Sequence, residues 1–437
     1  MNLVALLWHY ARTRRLRFTH REALETWQAK RLAHFSRHTL RHSPWFRPYL
    51  HQPFKKWPLM DKAQMMAHFD QMNTAGLNRD ELLACALQSE QSRDFTPKIG
   101  RFSVGLSSGT SGRRGVFVVS PQEQCIWAGA VLAKMLPDGL FAGERVALFL
   151  RADNHLYQSV NNRWLTLAYF DLLMPFQEQL PGLTDFSPTI IVAPAQVLCA
   201  LAERVLSGAL SLKVKKVISV AEVLDARDKA LLVRVFGNVG EIYQATEGFL
   251  AATCSHGTLH LNEEFLHVEP QWLDAHRFVP VITDFTRSTQ PIVRYRLDDV
   301  LVAREEACPC GSATQAIACI EGRHDDQLLL PGLKERLVTV FADACSRVIA
   351  QSLPLTADYQ LRQTDHNALT LVAAVSLAEL QPCQDALNRF FQHQGVVSQN
   401  LVWSLVCGEP VLTAGTKRRR IVRQWRALQS VIQGVNG

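Results

Sequence analysis

No stretch of this chain reaches eighteen uninterrupted apolar residues, so a membrane-spanning helix is excluded. Internal repeats and low-complexity tracts are missing, which excludes a repeat architecture and a fibrous chain. Charge of one sign is also scarce: Lys and Arg number 47 against 40 Asp and Glu, a surplus of seven. Ten cysteines lie scattered, with only Cys308 and Cys310 close together, so no disulfide framework is expected. The opening "MNLVALLWHYARTRRLR" has its charges after the apolar run, the reverse of a secretory leader, so a cytoplasmic protein is expected.

What is present is a composition that folds. With 437 residues, 47% of them hydrophobic, the chain can bury a large core, and at this length more than one domain is expected. The mild basic surplus suits a protein that handles anions. Basic residues cluster in "RTRRLRFTHR" (Arg12 to Arg21) and "KRRRIVRQWR" (Lys417 to Arg426). Either run reads as a solvated helix face or a nucleic-acid surface, and the solvated face is favoured.

Residues 1–95 read as helical, from the three- and four-residue apolar spacing in "REALETWQAKRLAHFSRHTL" and a start at Asp61 in "WPLMDKAQMMAHF". From about 100 to 300, strand-like runs such as "RVALFL", "TIIVAP", "VKKVISV" and "VGEIYQA" alternate with helices such as "AQVLCALAERVL". That alternation implies βαβ units and a largely parallel sheet. After Glu269, "RFVPVITDF" and "PIVRYRLDDVLVA" read as antiparallel strands of a smaller barrel or sheet. The last stretch reads as a small α+β unit with helices over "LKERLVTVFADACSRVIAQ" and "LAELQPCQDALNRFFQHQG". The expected class is α/β: a large domain with a helical start (1–95) and a parallel-rich core (96–322), then a small mobile α+β domain (323–437).

Five stretches carry chemistry. "SVGLSSGTSGRRGVFVVS" holds Ser107, Ser108, Gly109, Thr110, Ser111 and Gly112; such glycines let backbone N–H groups converge on phosphate oxygens. It lacks the GK[ST] ending of a Walker loop, and a glycine-rich hairpin would look similar. "YQATEG" sets Tyr243, Thr246 and Glu247 at a strand's carboxyl end, where parallel sheets bind ligands. "RYRLDDV" places Asp298 and Asp299 after a strand, "IEGRHDD" supplies Arg323 and Asp325, and "GTKRRR" supplies Lys417.

In this order and at these separations, the set resembles the superfamily of adenylate-forming enzymes. Within it the chain is most similar to phenylacetate–CoA ligase and the related deazaflavin-cofactor synthetases of methanogens. The resemblance implies activation of a small, aromatic or hydroxyaromatic carboxylic acid with ATP and Mg²⁺, then transfer to CoA or a carrier-protein phosphopantetheine. It implies that residues 107–115 bind pyrophosphate, Tyr243 stacks near adenine, and Thr246 contacts the α-phosphate. It further implies that Glu247 holds Mg²⁺, Asp299 binds the ribose hydroxyls, Arg323 reaches the nucleotide, Asp325 is the hinge and Lys417 is catalytic. The chain departs from the pattern at Gln244, Leu297 and Asp298, in the two arginines after "TSG", and in the extra residue between Gly415 and Lys417, with Arg418 as the alternative cation to Lys417. An adenylyltransferase that stops after AMP transfer, and a non-catalytic nucleotide or RNA binder, are the alternatives. A homodimer is left open, and no membrane partner is expected.

A second group stands apart. Cys308 and Cys310, with the upstream Cys254 and His260, can form a tetrahedral Cys₃His zinc site, against a plain Pro-Cys-Gly turn. His260 is preferred to His256 because "GTLHL" reads as a strand that fixes the imidazole. His155, Tyr157, Gln158, Asn161 and Asn162 follow a strand end and read as a surface loop or the lining of an acyl pocket.

Overall fold

The computed structural model describes residues 2–92, 97–107, 115–150, 164–224, 226–321, 327–333, 336–354, 357–410 and 419–425. The helical start comprises α1 (Leu3–Arg15), α2 (Arg21–His38), α3 (Lys62–Ala67), α4 (Phe69–Met72) and α5 (Arg79–Ser92). Asp61 caps α3 as expected: its carboxylate accepts the Gln64 N–H at 2.8 Å, and the Gln64 side chain accepts the Asp61 N–H.

The glycine-rich stretch is a hairpin. Strands β1 (Lys98–Ile99), β2 (Phe102–Leu106) and β3 (Val116–Val119) form an antiparallel sheet, and the loop joins β2 to β3. The stem closes through Ser107 N–H to the Gly115 carbonyl and Gly115 N–H to Ser107 Oγ, both 2.8 Å. Helix α6 (Pro121–Met135) follows β3, started by a Ser120–Glu123 capping box and by Pro121 in its first turn.

Next come β4 (Glu144–Leu150), β5 (Leu165–Asp171), α7 (Phe176–Phe186), β6 (Ile190–Ala193), α8 (Ala195–Leu206), β7 (Lys216–Ser219), α9 (Ala226–Phe236) and β8 (Val239–Ala245). The five strands are parallel in the order β5-β4-β6-β7-β8. Alternation along β4 serves two cores, as a sheet covered on both faces requires. Ala147 and Phe149 pack under α7 to α9, while Val146 and Leu148 pack with Leu6 of α1 and Leu132 of α6. Helix α1 lies close on α6 because Gly129 has no side chain: a Cβ there would sit 2.8 Å from the Tyr10 backbone nitrogen.

The antiparallel strands do not form a separate barrel. Strand β9 (Gly248–Thr253) turns back against β8. The chain then lays down β10 (Leu259–Leu261), β11 (Leu266–Trp272), β12 (Arg277–Asp284), β13 (Ile292–Arg296), β14 (Val300–Ala303) and β15 (Ala316–Glu321). All join one twelve-stranded sheet with the parallel half. Phe35, Trp57 and Met60 from the helical start pack on Leu266, Phe278 and Tyr295 of this half.

Beyond it, β16 (Leu328–Pro331) and β17 (Leu337–Val340) form a hairpin before α10 (Ala342–Ser352). The helix expected over residues 333–351 therefore begins only at Ala342. Its first part, "LVTV", is β-branched at three of four positions and pairs as a strand. Strands β18 (Tyr359–Gln363), β19 (Ala368–Ala373), β20 (Val402–Cys407) and β21 (Ile421–Arg423) form a sheet ordered β20-β19-β18-β21, with α11 (Leu377–His393). They share a core of their own that includes Ile349, Leu371, Leu387 and Phe391. Among the described residues no helix is long and apolar enough to cross a membrane.

Candidate active site and metal centre

The turn between β8 and β9 is where the sheet changes from parallel to antiparallel, and it holds Thr246 and Glu247. Glu247 is buried, and both its oxygens accept hydroxyls: Oε1 from Tyr295 at 3.0 Å and Oε2 from Thr246 at 2.9 Å. Tyr243, four residues before Glu247, donates its hydroxyl to Asp299 Oδ2 at 2.7 Å. Burial and the facing carboxylates, Asp299 for Tyr243 and Glu247 for Tyr295, push both phenols well above their ordinary range. They stay protonated, as donors to acids. A small open cleft lies over this turn, lined by Lys62, Ser107, Phe117, Thr246, Glu247 and Gln290. The hairpin stem of the glycine-rich loop therefore borders the same space as Glu247.

Behind the turn lies a polar layer that sequence reasoning missed. Arg287 is buried and donates to the Thr246 carbonyl at 2.8 Å and to the Val118 carbonyl at 3.3 Å, tying the turn to β3. Glu123 of α6 accepts the Ser288 and Thr289 N–H groups at 2.7 and 2.9 Å. Asp284 accepts the Thr286 N–H and hydroxyl at 2.7 and 2.6 Å, and burial pushes its carboxyl up to about 6. Gly248 is required beside it, since a Cβ there would lie 2.7 Å from Asp284 Oδ2. Only "TDFTRSTQ" hinted at this layer, a polar run directly after an apolar strand.

Tyr295 is held from the other side. Its neighbour Arg294 takes a left-handed φ of 44°, uncommon for a side-chain-bearing residue. The strain is tied down by a two-point ion pair to Glu269 (2.9 and 3.0 Å) and by donation to the carbonyls of Lys55 and Trp57. Met60 pairs beside it, donating to the Arg294 carbonyl at 2.9 Å and accepting from Arg296 N–H at 2.8 Å. The N-terminal segment thus braces the strand that presents Tyr295 to Glu247.

The second centre brings Cys254, His260, Cys308 and Cys310 together, with all four donor atoms within 4.8 Å of one another. Cys254 Sγ and Cys308 Sγ are 3.7 Å apart, and Cys310 Sγ is 3.4 Å from His260 Nε2. A tetrahedral zinc would have edges of about 3.8 Å between sulfurs and about 3.6 Å from sulfur to nitrogen. The far nitrogen, His260 Nδ1, faces the Thr314 carbonyl at 3.2 Å, which holds the ring with Nε2 toward the sulfurs. Burial pushes the Cys308 thiol up, but hydrogen bonds from Thr258, the Cys310 backbone and His260 outweigh it and bring it down to about 5. His256 is exposed and stands outside the cluster.

Comparison with known proteins completes the picture. No family model matches this chain, and no curated protein does. Solved structures do. A 2-hydroxyisobutyryl-CoA ligase in complex with 2-HIB-AMP and CoA, in its thioesterification state, superposes with a TM-score of 0.57 at 16% identity. That match covers 95% of this chain and 91% of the ligase. The ligase's open conformation with the same two ligands gives 0.53 at 15% identity, covering 90% of each chain. This chain has the fold of that CoA ligase.

In this ligase fold, the structure brings together five of the expected site residues: Tyr243, Thr246, Glu247 and Asp299, with Ser107 across the cleft. Asp298 is exposed. Ser108, Gly109, Thr110, Ser111, Gly112, Arg323, Asp325, Lys417, Arg418 and the 155–162 cluster lie outside the described residues.

Proposed function

We propose that this protein is an ATP-dependent, AMP-forming carboxylate ligase that passes the activated acyl group to the thiol of CoA or of a carrier-protein phosphopantetheine. The observation that carries the reading is the cleft at the parallel-to-antiparallel switch. There Glu247 and Thr246 meet Ser107 and Gly115 of the glycine-rich loop's stem, with the Tyr243–Asp299 hydrogen bond joining the preceding strand to the segment after β13, within a CoA-ligase fold. The acid is aromatic or hydroxyaromatic, as the likeness to phenylacetate–CoA ligases implies.

In the first step a carboxylate oxygen attacks the α-phosphorus, the bond to the β-phosphate bridging oxygen breaks, and pyrophosphate leaves. Two anions must meet, so the barrier is largely electrostatic. Ser107 and the loop to Gly112 cradle the pyrophosphate, Thr246 contacts the α-phosphate, and Tyr243 and Asp299 take the nucleoside. Arg323 adds charge at the nucleotide. Residues 323–437 act as the small domain, with Asp325 as hinge and Lys417 as the cation that bridges carboxylate and α-phosphate. Bound Mg²⁺ would neutralise phosphate charge, and Glu247 suits it: a buried carboxylate on the cleft whose described partners are hydroxyls, not cations. In the second step a thiolate attacks the acyl carbon and AMP leaves.

The Cys254–His260–Cys308–Cys310 cluster is proposed as a structural zinc site. Its donor spacings fit tetrahedral edges, and four protein ligands leave no open position for chemistry. ATP–pyrophosphate exchange across a panel of aromatic and aliphatic carboxylic acids tests the function, followed by AMP release on adding CoA. Acid-dependent exchange is expected. Exchange with no acid, or a stable adenylylated product unaffected by any thiol, would overturn the ligase reading.

A further inference from the structure

Charge in this molecule is unevenly placed. Residues 1–50 hold ten Lys and Arg against two Asp and Glu, a surplus of eight, while the whole chain has a surplus of seven. Everything after residue 50 is therefore close to neutral. The basic residues sit on α1 and α2 and the segments beside them.

Helix α1 carries a second anomaly. Leu3, Val4 and Trp8 are 54%, 76% and 56% exposed. They are not needed to dock the helix, because its other face already does so, through fully buried Leu6 against α6. Val4, Trp8, Ala11 and Arg15 stand at the i, i+4, i+7, i+11 spacing of a single helix face. The exposed face is thus apolar for two turns and basic in the last, with Arg17 exposed just beyond. The helix contains no acidic residue, and the Arg12 guanidinium lies over the Trp8 ring at 5.2 Å.

We infer that this face of α1 docks on an anionic phospholipid bilayer surface. Apolar side chains with a tryptophan would enter the interface while Arg12, Arg15 and Arg17 meet lipid headgroups. A groove-type protein partner fits less well, because α6 already occupies the opposite side of the helix. A planar surface needs only the side that is presented, and the absence of acidic residues matches a negative one. No membrane partner is expected from the sequence, whose apolar runs are too short for a span; the contact inferred here lies on the surface.

The test is co-sedimentation of the full chain with vesicles of phosphatidylcholine alone and of equal parts phosphatidylcholine and phosphatidylserine. Binding to the mixed vesicles only, weakening with salt, is expected. Leu3→Ser with Val4→Ser and Trp8→Ser should abolish it without lowering the melting temperature, since these side chains pack on nothing essential. Arg15→Gln with Arg17→Gln should weaken binding about 25-fold, from about fivefold per charge at the surface. No binding to the mixed vesicles overturns the proposal, and so does binding that the apolar triple variant leaves unchanged. Retention of an acidic peptide or of duplex DNA by the arginines, with no vesicle binding, would assign the face to another polyanion.

Discussion

Asp284 makes stability depend on pH in a direction opposite to most native carboxylates. Its carboxyl is fully buried behind Gly248, and burial, set against the bonds from Thr286 and the nearby Arg287, raises it from 3.8 to about 6. Glu123 adds to the rise. The folded state therefore holds this proton more tightly than the unfolded chain. Its contribution is most favourable below pH 3.8, declines as pH rises to about 6, and is constant above. At about 1.4 kcal/mol per unit, the cost of ionising it is about 3 kcal/mol at pH 7.5 and about 1.6 kcal/mol at pH 5. Asp284→Asn never ionises. Relative to wild type, it should gain about 1.4 kcal/mol between pH 5 and pH 7.5. Any fixed cost of the weaker acceptor cancels in that difference. Urea unfolding followed by tryptophan fluorescence at the two pH values measures it. A stability difference that stays flat between the two pH values, or falls toward pH 7.5, would refute the argument.

Purified protein should contain about one zinc per chain if the four donors act together. Cys310→Ser should then lower metal affinity by more than about 100-fold, the upper range for losing only an outer partner of a ligand; metal analysis and melting temperature check it, and wild-type zinc content in the variant would count against the site. Glu247→Gln should slow acid-dependent pyrophosphate exchange by about 10²–10³ and raise the Mg²⁺ requirement, with circular dichroism confirming the fold; an unchanged Mg²⁺ profile would remove its metal role. Gly129→Ala should destabilise by about 1–3 kcal/mol despite alanine's better helix propensity, because the new Cβ meets backbone of α1 that cannot yield; thermal unfolding decides it, and a stabilised variant would mean that α1 is not held as described.

The sequence by itself determined the local pieces. The apolar run of β8 and the amphipathic α8 appear with the boundaries read from their residues, because both patterns are set by burial at fixed periods. Asp61 starts its helix because the cap needs only neighbours three residues away. The Cys254, His260, Cys308 and Cys310 set was also legible, since ligand chemistry restricts which residue types can share an ion. Tertiary structure decided the rest. Nothing local told that β9 would turn against β8 and extend one sheet, or that "LVTV" would leave its helix for a strand partner nine residues upstream. Tyr295 meeting Glu247, Arg287 reaching the Thr246 carbonyl, and Asp284 lying against Gly248 each join residues from 36 to 48 positions apart. The exposure of Leu3, Val4 and Trp8 follows from α6 choosing which side of α1 to cover. Such contacts depend on how whole elements pack, and no periodicity along the chain encodes that.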